Sequence, residues 1–304
     1  MRTSNPALND QIFARETPAE VQAGWASPTG PATIERGADR SRPWGAGGVP
    51  VAPDTVSPWP PTSPPPPAGY ESMRLGGVVS ASAVLLALLL VAAFFGWQAV
   101  EVVTGTNALG EQVVLDTTIP PWLIGSVIVG LVLAIVTILR PKVARISAPL
   151  YAIAEGFFLG GVSHLYEVQY RGIVLQAVGL TVGVFLTMLF LYATRIIKVT
   201  RNLVLGIVCA TGAVALVYLA SFLARVFGAE IGFIHDSGPV GIGFSLVVVV
   251  IAALNLILDF DFIERGVAMQ APRHMEWYGA FGLLVTLIWL YLELLRLLSK
   301  LRSR

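Results

Sequence analysis

Seven apolar stretches follow Arg74, and they constrain the fold of this chain more than any other feature of its sequence. Each approaches the length of about 20 residues that a helix needs to cross a bilayer. Lipid offers the backbone no hydrogen-bond partners, so such segments must be helical. The pattern therefore predicts an all-α membrane protein with seven transmembrane helices. The predicted spans are Val78–Val100, Pro121–Leu139, Ala148–Tyr166, Ile173–Ala193, Leu203–Phe227, Val240–Ile263 and Trp277–Leu298.

The composition of the whole chain also fits a membrane protein. Hydrophobic residues make up 55% of the 304 residues, charged residues make up 13%, and the mean hydropathy is +0.72. Such values are rare in soluble domains. The net charge of +1 gives no indication of a nucleic-acid partner. We expect the lipid bilayer to be the main partner, and the sequence leaves the oligomeric state open.

Two parts of contrasting composition divide the chain. Residues 1–73 are polar, are rich in Pro, Gly and Ala, and contain the tract PWPPTSPPPPAGY. They lack the apolar periodicity that repays the entropy of ordering a chain. We predict a disordered, Pro-rich cytoplasmic tail over residues 1–73 and a seven-helix transmembrane domain over residues 74–304.

Basic residues alternate between the connecting loops, and this alternation predicts the orientation in the membrane. The loops after the second and fourth spans are basic, whereas the loop after the first span contains no Lys or Arg. The positive-inside rule then places the N-terminus in the cytoplasm. Seven spans would put Lys300, Arg302 and Arg304 outside, against the rule. Either the last helix is re-entrant, or this short tail departs from the rule.

The sixth span ends in acidic residues, which membrane segments usually exclude. A carboxylate costs roughly 2.5–3.5 kcal/mol at the centre of a membrane helix, so it should face the bundle interior or a wet cavity. Asp259 and Asp261 lie about 200° apart around a helix and cannot both face inward. Asp259 has Asn255 four residues before it, which favours an inward polar stripe, although an acid that snorkels to water is the alternative. Asp261 is expected to pair with Arg265 at the interface.

Two further acids lie within the spans. Glu155 is about eight residues into the third span and has no basic neighbour one turn away. Its depth matches that of Asp259, which suggests a carboxylate pair that holds a proton or transiently binds Ca²⁺. A lone protonated acid that bonds a neighbouring helix remains equally open. Glu293 has Arg296 three residues later, which predicts a local ion pair near the outer interface.

The same residues argue against an enzyme. The histidines, at positions 164, 235 and 274, fall at different levels of the predicted topology and cannot converge on one zinc ion. The letters HDS at residues 235–237 are adjacent in one loop, which is not the geometry of a catalytic triad. No Gly-rich phosphate loop occurs. We expect no catalytic residues, no cofactor and no fixed metal, with calcium entering only as a permeant ion.

Three segments resemble the bacterial branch of the Bax inhibitor-like proteins. They read APLYAIAEGFFLGG, FIHDSGPVGIGFSLVVVVIAALNLILDFDFIERG and MEWYGAFGLLVTLIWLYLELLRLL, and the resemblance covers residues 74–304. It implies a bacterial inner-membrane protein whose last helix is central among seven. It also implies pH-sensitive calcium leak, with an aspartate on the sixth helix paired to one on the seventh.

The resemblance assigns Asp259 to the sixth-helix aspartate, but the seventh-helix partner depends on the register. If LLR at residues 294–296 sets the register, Thr286 stands in that place, and if LYLE at residues 290–293 sets it, Glu293 does. The depth of the residues favours Thr286. In that register the chain lacks the second aspartate, and Glu155 supplies the second acid.

These observations lead to two functional hypotheses. The first is a pH-sensitive cation leak channel or ion-homeostasis protein, with calcium as the expected ion and intramembrane carboxylates as the gate. Asp259 would be the central acid, with Glu155 as its partner and Asn255 as a polar ligand. The second is a membrane scaffold or stress-response regulator that transports nothing and binds other membrane proteins through its tail and small-residue helix faces.

Overall fold

A computed structural model describes residues 71–106, 112–227 and 238–303, and these residues form seven long helices. Each helix is long and apolar enough to cross a membrane, and each overlaps one predicted span, so the predicted all-α membrane fold is confirmed. The predicted tail lies outside the described residues as far as residue 70. The helices are α1 Leu75–Ala99, α2 Pro121–Leu139, α3 Ala144–Gln169, α4 Ile173–Ala193, α5 Arg201–Val226, α6 Pro239–Ala268 and α7 Met275–Arg302.

Two short elements connect the first three helices. An antiparallel hairpin of β1, Glu101–Thr106, and β2, Gln112–Thr118, joins α1 to α2. A 3₁₀ turn at Pro141–Val143 joins α2 to α3. The hairpin was not predicted from the apolar spans, although both strands are rich in the β-branched residues that favour extended backbone.

The bundle has two ends, which we name after the residues that mark them. At the Arg74 end, α1 begins beside the loop between α6 and α7, where the Met73 N–H donates to the Ala271 carbonyl at 2.6 Å. At the Lys300 end, the last turn of α7 meets the first turn of α6, where Lys300 Nζ donates to the Gly241 carbonyl at 3.0 Å. Successive helices therefore run in opposite directions between the two ends.

The last helix is the central one, as the resemblance implies. α7 packs against α1, α3, α4 and α6. Its first half is buried with Phe281 and Leu284 in a core shared with α1 and α3. Its second half is buried with Leu290 and Leu294 in a core shared with α4 and α6. α7 therefore has apolar neighbours on several sides, whereas α2, α4 and α5 leave large apolar side chains exposed on their outer faces.

α7 is one continuous helix antiparallel to α6, so the re-entrant alternative for the last helix is wrong. The basic residues at its end have acceptors within the protein. Lys300 is only 5% exposed and donates to Ser245 Oγ at 2.9 Å as well as to Gly241. Arg302 donates to the Arg171 carbonyl at 2.7 Å. These contacts show how cations are accommodated at the end opposite the basic loops.

The first residues of the described chain are bound to the loop between α6 and α7. Arg273 forms an ion pair with Glu71, and the Arg74 N–H donates to Glu276 Oε1 at 2.9 Å. Arg74 is the N-cap of α1 and provides no side-chain cap of its own. The buried Glu276 carboxylate therefore caps α1 from another helix, where the positive end of the α1 dipole favours it. We call these four residues the N-terminal clamp.

Candidate functional site

Asp259 on α6 is the most buried carboxylate of the predicted ion pathway. It is 9% exposed, and its neighbours along α6, Leu256 and Ile257, are fully buried. Its Oδ1 atom faces α7, where a Cβ built on Gly282 would lie 3.7 Å away. Its Oδ2 atom is buried and has no hydrogen-bond partner among the described residues. The structure therefore places Asp259 inward, at the interface with the central helix.

Thr286 is the polar neighbour of Asp259 on α7. It is 8% exposed, and its hydroxyl donates to the Gly282 carbonyl one turn earlier, at 3.2 Å. The hydroxyl oxygen keeps its capacity to accept a hydrogen bond from a protonated carboxyl group. Of the two registers left open by the sequence, the structure has the one in which Thr286, and not Glu293, stands opposite Asp259.

Asn255 lies one turn before Asp259, but its amide is directed to a different helix. Its Nδ2 atom donates to Thr211 Oγ1 of α5 at 2.8 Å and to the Ile251 carbonyl of its own helix at 2.8 Å. The expected polar stripe along α6 is therefore divided. Asn255 binds α5, whereas Asp259 faces α7.

Glu155 does not form the expected pair with Asp259. It is half-buried on α3 and faces α2, because a Cβ built on Gly130 would lie 2.7 Å from its Oε1 atom. Neither carboxylate is among the electrostatic neighbours of the other. Equal depth describes only the position of a residue along the helix axis. The two side chains point in different directions around their axes, so they lie at different interfaces.

Acidic and basic side chains meet at the Arg74 end of α6, as expected from the sequence. Arg265 Nη2 lies 2.6 Å from Asp261 Oδ2, one helical turn away. Glu264 accepts hydrogen bonds from Tyr192 of α4 and from Arg195, which follows the end of that helix. These contacts tie α6 to the end of α4 at the boundary of the span. Among the described residues, Asp259 is the acid of this run without a basic partner.

Glu293 forms the predicted local ion pair with Arg296, at 3.0 Å, and its carboxylate is buried although the Arg296 side chain is partly exposed. The reason is Tyr218 of α5, whose hydroxyl donates to Glu293 Oε1 at 2.7 Å. The Arg296 guanidinium also lies 4.9 Å from the centre of the Tyr218 ring. This cluster joins α7 to α5 closer to the Lys300 end than Asp259.

Two buried charged residues, Glu276 and Lys300, were not predicted from the sequence. Both bind backbone groups of helices distant in the chain, Glu276 at the start of α1 and Lys300 at the start of α6. One sequence signal points to the role of Glu276. Because α1 begins at Arg74–Leu75 without a Ser, Thr, Asp or Asn cap, its first N–H groups need an acceptor from elsewhere in the protein. No comparable local signal marks Lys300.

The described part of the chain contains no cluster of side chains that could form a metal-binding site. Among residues 71–106, 112–227 and 238–303, no group of three or more His, Cys, Asp or Glu side chains could hold a metal ion. Glu155 and Asp259, for which transient calcium binding was predicted, lie at separate interfaces. Any cation at the centre of the bundle would meet Asp259 without Glu155.

A comparison with protein families agrees with the fold and with the quoted segments. A family model described as Bax inhibitor 1 like matches residues 5–303, nearly the whole chain. The chain belongs to the Bax inhibitor 1-like family. The match begins well before residue 74, so the Bax inhibitor 1-like region includes most of the predicted tail. A comparison with individually curated proteins gave no match.

Proposed function

We propose that this Bax inhibitor 1-like protein is a pH-sensitive cation leak protein of the bacterial inner membrane, with Asp259 as its gate and calcium as the expected ion. The supporting observation is the Asp259 carboxylate, which is buried against the central helix and has one oxygen without a hydrogen-bond partner among the described residues. An isolated ionised carboxylate is costly in such surroundings. It gains stability from a proton, from water or from a cation.

The gate follows from the two charge states of Asp259. When protonated, the carboxyl group is neutral and can donate to Thr286 Oγ1, which holds α6 against α7. When ionised, it can only accept a hydrogen bond, and it attracts water and a hard cation, for which carboxylate oxygens are preferred ligands. Acid then closes the path and alkali opens it. The protein performs no covalent chemistry in this proposal and needs no cofactor.

The distribution of basic residues supports a cytoplasmic Arg74 end. The loops and helix ends there carry more Lys and Arg residues than the Lys300 end, as the positive-inside rule requires of cytoplasmic loops. Asp261 and Glu264 lie between Asp259 and the Arg74 end. In this orientation they border the cytoplasmic mouth of the path. The basic residues at the Arg74 end are Arg74, Arg140, Lys142, Arg145, Arg195, Lys198, Arg201, Arg265 and Arg273.

Ion flux through liposomes tests the proposal. The purified chain is reconstituted with a trapped calcium indicator, and flux is measured in a series of buffers from about pH 6 to pH 8. We expect flux to rise with pH in the wild type and to stay low at every pH in Asp259→Asn, which imitates the protonated acid.

Asp261→Asn is the matched control, because it makes the same change two residues along the same helix at an acid already paired with Arg265. It should keep the pH dependence. A pH-dependent flux that survives in Asp259→Asn would refute the gate. Absence of flux from the wild type at every pH would refute the leak itself.

A second candidate function is a scaffold for other membrane proteins. It is favoured by Gly179 and Gly183 on α4, where a built Cβ would meet no described atom within 4 Å. This small-residue face could therefore accept another helix. Deleting residues 1–69 separates the two candidates. A channel should keep its flux, whereas a scaffold that depends on the tail should lose its partner in a crosslinking experiment.

A further inference from the structure

A cleft opens at the Lys300 end, between the last turns of α3 and α7. Its volume is about 310 Å³. Two cationic side chains, Arg296 and Lys300, line it together with the tyrosines Tyr166 and Tyr170 and the hydroxyl of Ser299. Its position and its side chains are unrelated to Asp259, so the inference below does not rest on the proposed ion path.

Both cations of the cleft are held in fixed positions by the protein. Arg296 donates to Glu293 Oε1 at 3.0 Å and to the Tyr218 hydroxyl at 2.6 Å. Lys300 Nζ is held by the Gly241 carbonyl and by Ser245 Oγ. A ligand that meets these groups does not have to order two flexible side chains, which is usually a large part of the cost of binding.

The surroundings of the cleft carry an excess of positive charge. Glu293 compensates Arg296, and Glu167 accepts hydrogen bonds from the first turn of α4, including the Val174 N–H at 3.1 Å. Over the end of α3, the start of α4 and the end of α7, the basic residues outnumber these two acids. They are Arg171, Arg296, Lys300 and Arg302.

The level of the cleft along the bundle indicates where a ligand would come from. α3 ends at Gln169, α4 begins at Ile173 and α7 ends at Arg302, so the cleft lies where spanning helices leave the hydrocarbon. Phospholipid phosphates occupy the same level, and tyrosines are common there. Arg, Lys and hydroxyl groups are the side chains that bind phosphate oxygens.

We propose that this cleft binds the phosphate group of an anionic phospholipid. Arg296 and Lys300 supply positive charge to the phosphate diester, and the hydroxyls of Tyr166, Tyr170 and Ser299 supply donors. The acyl chains would follow the exposed apolar surface of α4, where Leu175 is 79% exposed and Val178 is exposed. The lipid would then join α3, α4 and α7 at the end of the central helix.

Native mass spectrometry of the full chain tests the lipid site. The detergent-solubilised protein is titrated with phosphatidylglycerol or with phosphatidylcholine of the same chain length, and the dissociation constants are compared. We expect phosphatidylglycerol to bind more tightly. Lys300→Gln should weaken that binding about tenfold, because it removes one of the two positive charges that line the cleft.

Two further variants separate the cleft from general charge effects. Ser303→Glu adds a carboxylate at the rim of the cleft, on an exposed residue, and should also weaken binding even if Lys300→Gln disturbs packing. Arg302→Gln is the matched control, because it removes one positive charge two residues from Lys300 at a side chain that binds Arg171 and Gln176 instead. It should leave the affinity within about twofold.

Each other outcome would overturn the proposal. Equal affinities for the two lipids would exclude an anionic headgroup site. An equal loss in Arg302→Gln and Lys300→Gln, with no effect of Ser303→Glu, would reduce the preference to surface charge. In a separate titration, soluble glycerol phosphate is added to the protein bound to phosphatidylglycerol. If it displaces phosphatidylglycerol at comparable concentration, the cleft is a site for a free phosphate ester and not for a lipid.

Discussion

At the scale of single residues, the described part of the chain contains a carboxylate oxygen that is buried without a hydrogen-bond partner there. Asp259 Oδ2 is in this position, and the adjoining helix offers Gly282 and Thr286 rather than a basic side chain. A buried polar atom without a hydrogen bond costs about 1–3 kcal/mol, and more if it is charged. The surroundings of Asp259 therefore stabilise neither the protonated nor the ionised form fully. A group that gains and loses a proton during function needs such surroundings.

The separation of Asp259 and Glu155 makes a quantitative prediction. Because the two carboxylates occupy different interfaces, the effects of Asp259→Asn and Glu155→Gln on the free energy of unfolding should add to within about 0.5 kcal/mol. Equilibrium unfolding in mixed micelles of the wild type, both single variants and the double variant measures this. A coupling of more than about 1 kcal/mol would mean that the two acids share a site.

Local spacing along one helix predicted several contacts between side chains of that helix. It could not predict which neighbouring helix a side chain faces. The pairs Asp261–Arg265 and Glu293–Arg296 follow from spacings of four and three residues on a helix, and both form. The direction of Glu155 toward α2 depends on how α3 is rotated against its neighbours. The acceptors of Lys300 lie more than fifty residues away in the chain. Neither is encoded in local spacing.

At the scale of elements, the closest packing joins α1 and α3 through glycines. Cβ atoms built on Gly96, Gly156 and Gly160 would overlap backbone atoms of the facing helix. The carbonyl groups of Leu89 and Ala93 in α1 occupy that space. Without a hydrophobic force between helices in lipid, such close approach of backbones is the main source of attraction.

A pair of alanine substitutions tests the contribution of these glycines. Gly160→Ala should destabilise the protein by about 1–3 kcal/mol, because the new methyl group meets backbone that cannot move aside easily. Gly179→Ala places the same methyl group in a helix where nothing lies within 4 Å, so it should be neutral or slightly stabilising. Thermal unfolding in detergent compares the two. Similar losses in both variants would contradict the packing argument.

At the scale of the whole molecule, the N-terminal clamp joins the first described residues to the turn between the last two helices. The Arg273 guanidinium, through a hydrogen bond and its charge, lowers the pKa of the exposed Glu71 carboxyl group from its ordinary value of 4.5. A lowered pKa in the folded state means that the pair stabilises the fold above the unfolded pKa. That stabilisation is lost as the pH falls through the folded pKa.

The clamp therefore predicts a pH-dependent effect of Glu71→Gln. The variant should unfold at a lower temperature than the wild type near pH 7, and the difference should shrink to nothing as the pH falls below the lowered pKa of Glu71. Thermal scans from about pH 3 to pH 7 measure it. High salt should reduce the difference at neutral pH, because the pair is exposed. A difference that is constant with pH would show that Glu71 acts without its charge.

The central position of α7 has a consequence for how the protein is made. Synthesis proceeds from the N-terminus, so the helix that packs against α1, α3, α4 and α6 is the last of the described helices to leave the ribosome. The earlier helices must enter the membrane before α7 is present to pack between them. Until α7 arrives, Asp259 lacks this neighbour, and a chain cut short before Met275 would display a carboxylate that membrane quality control could detect.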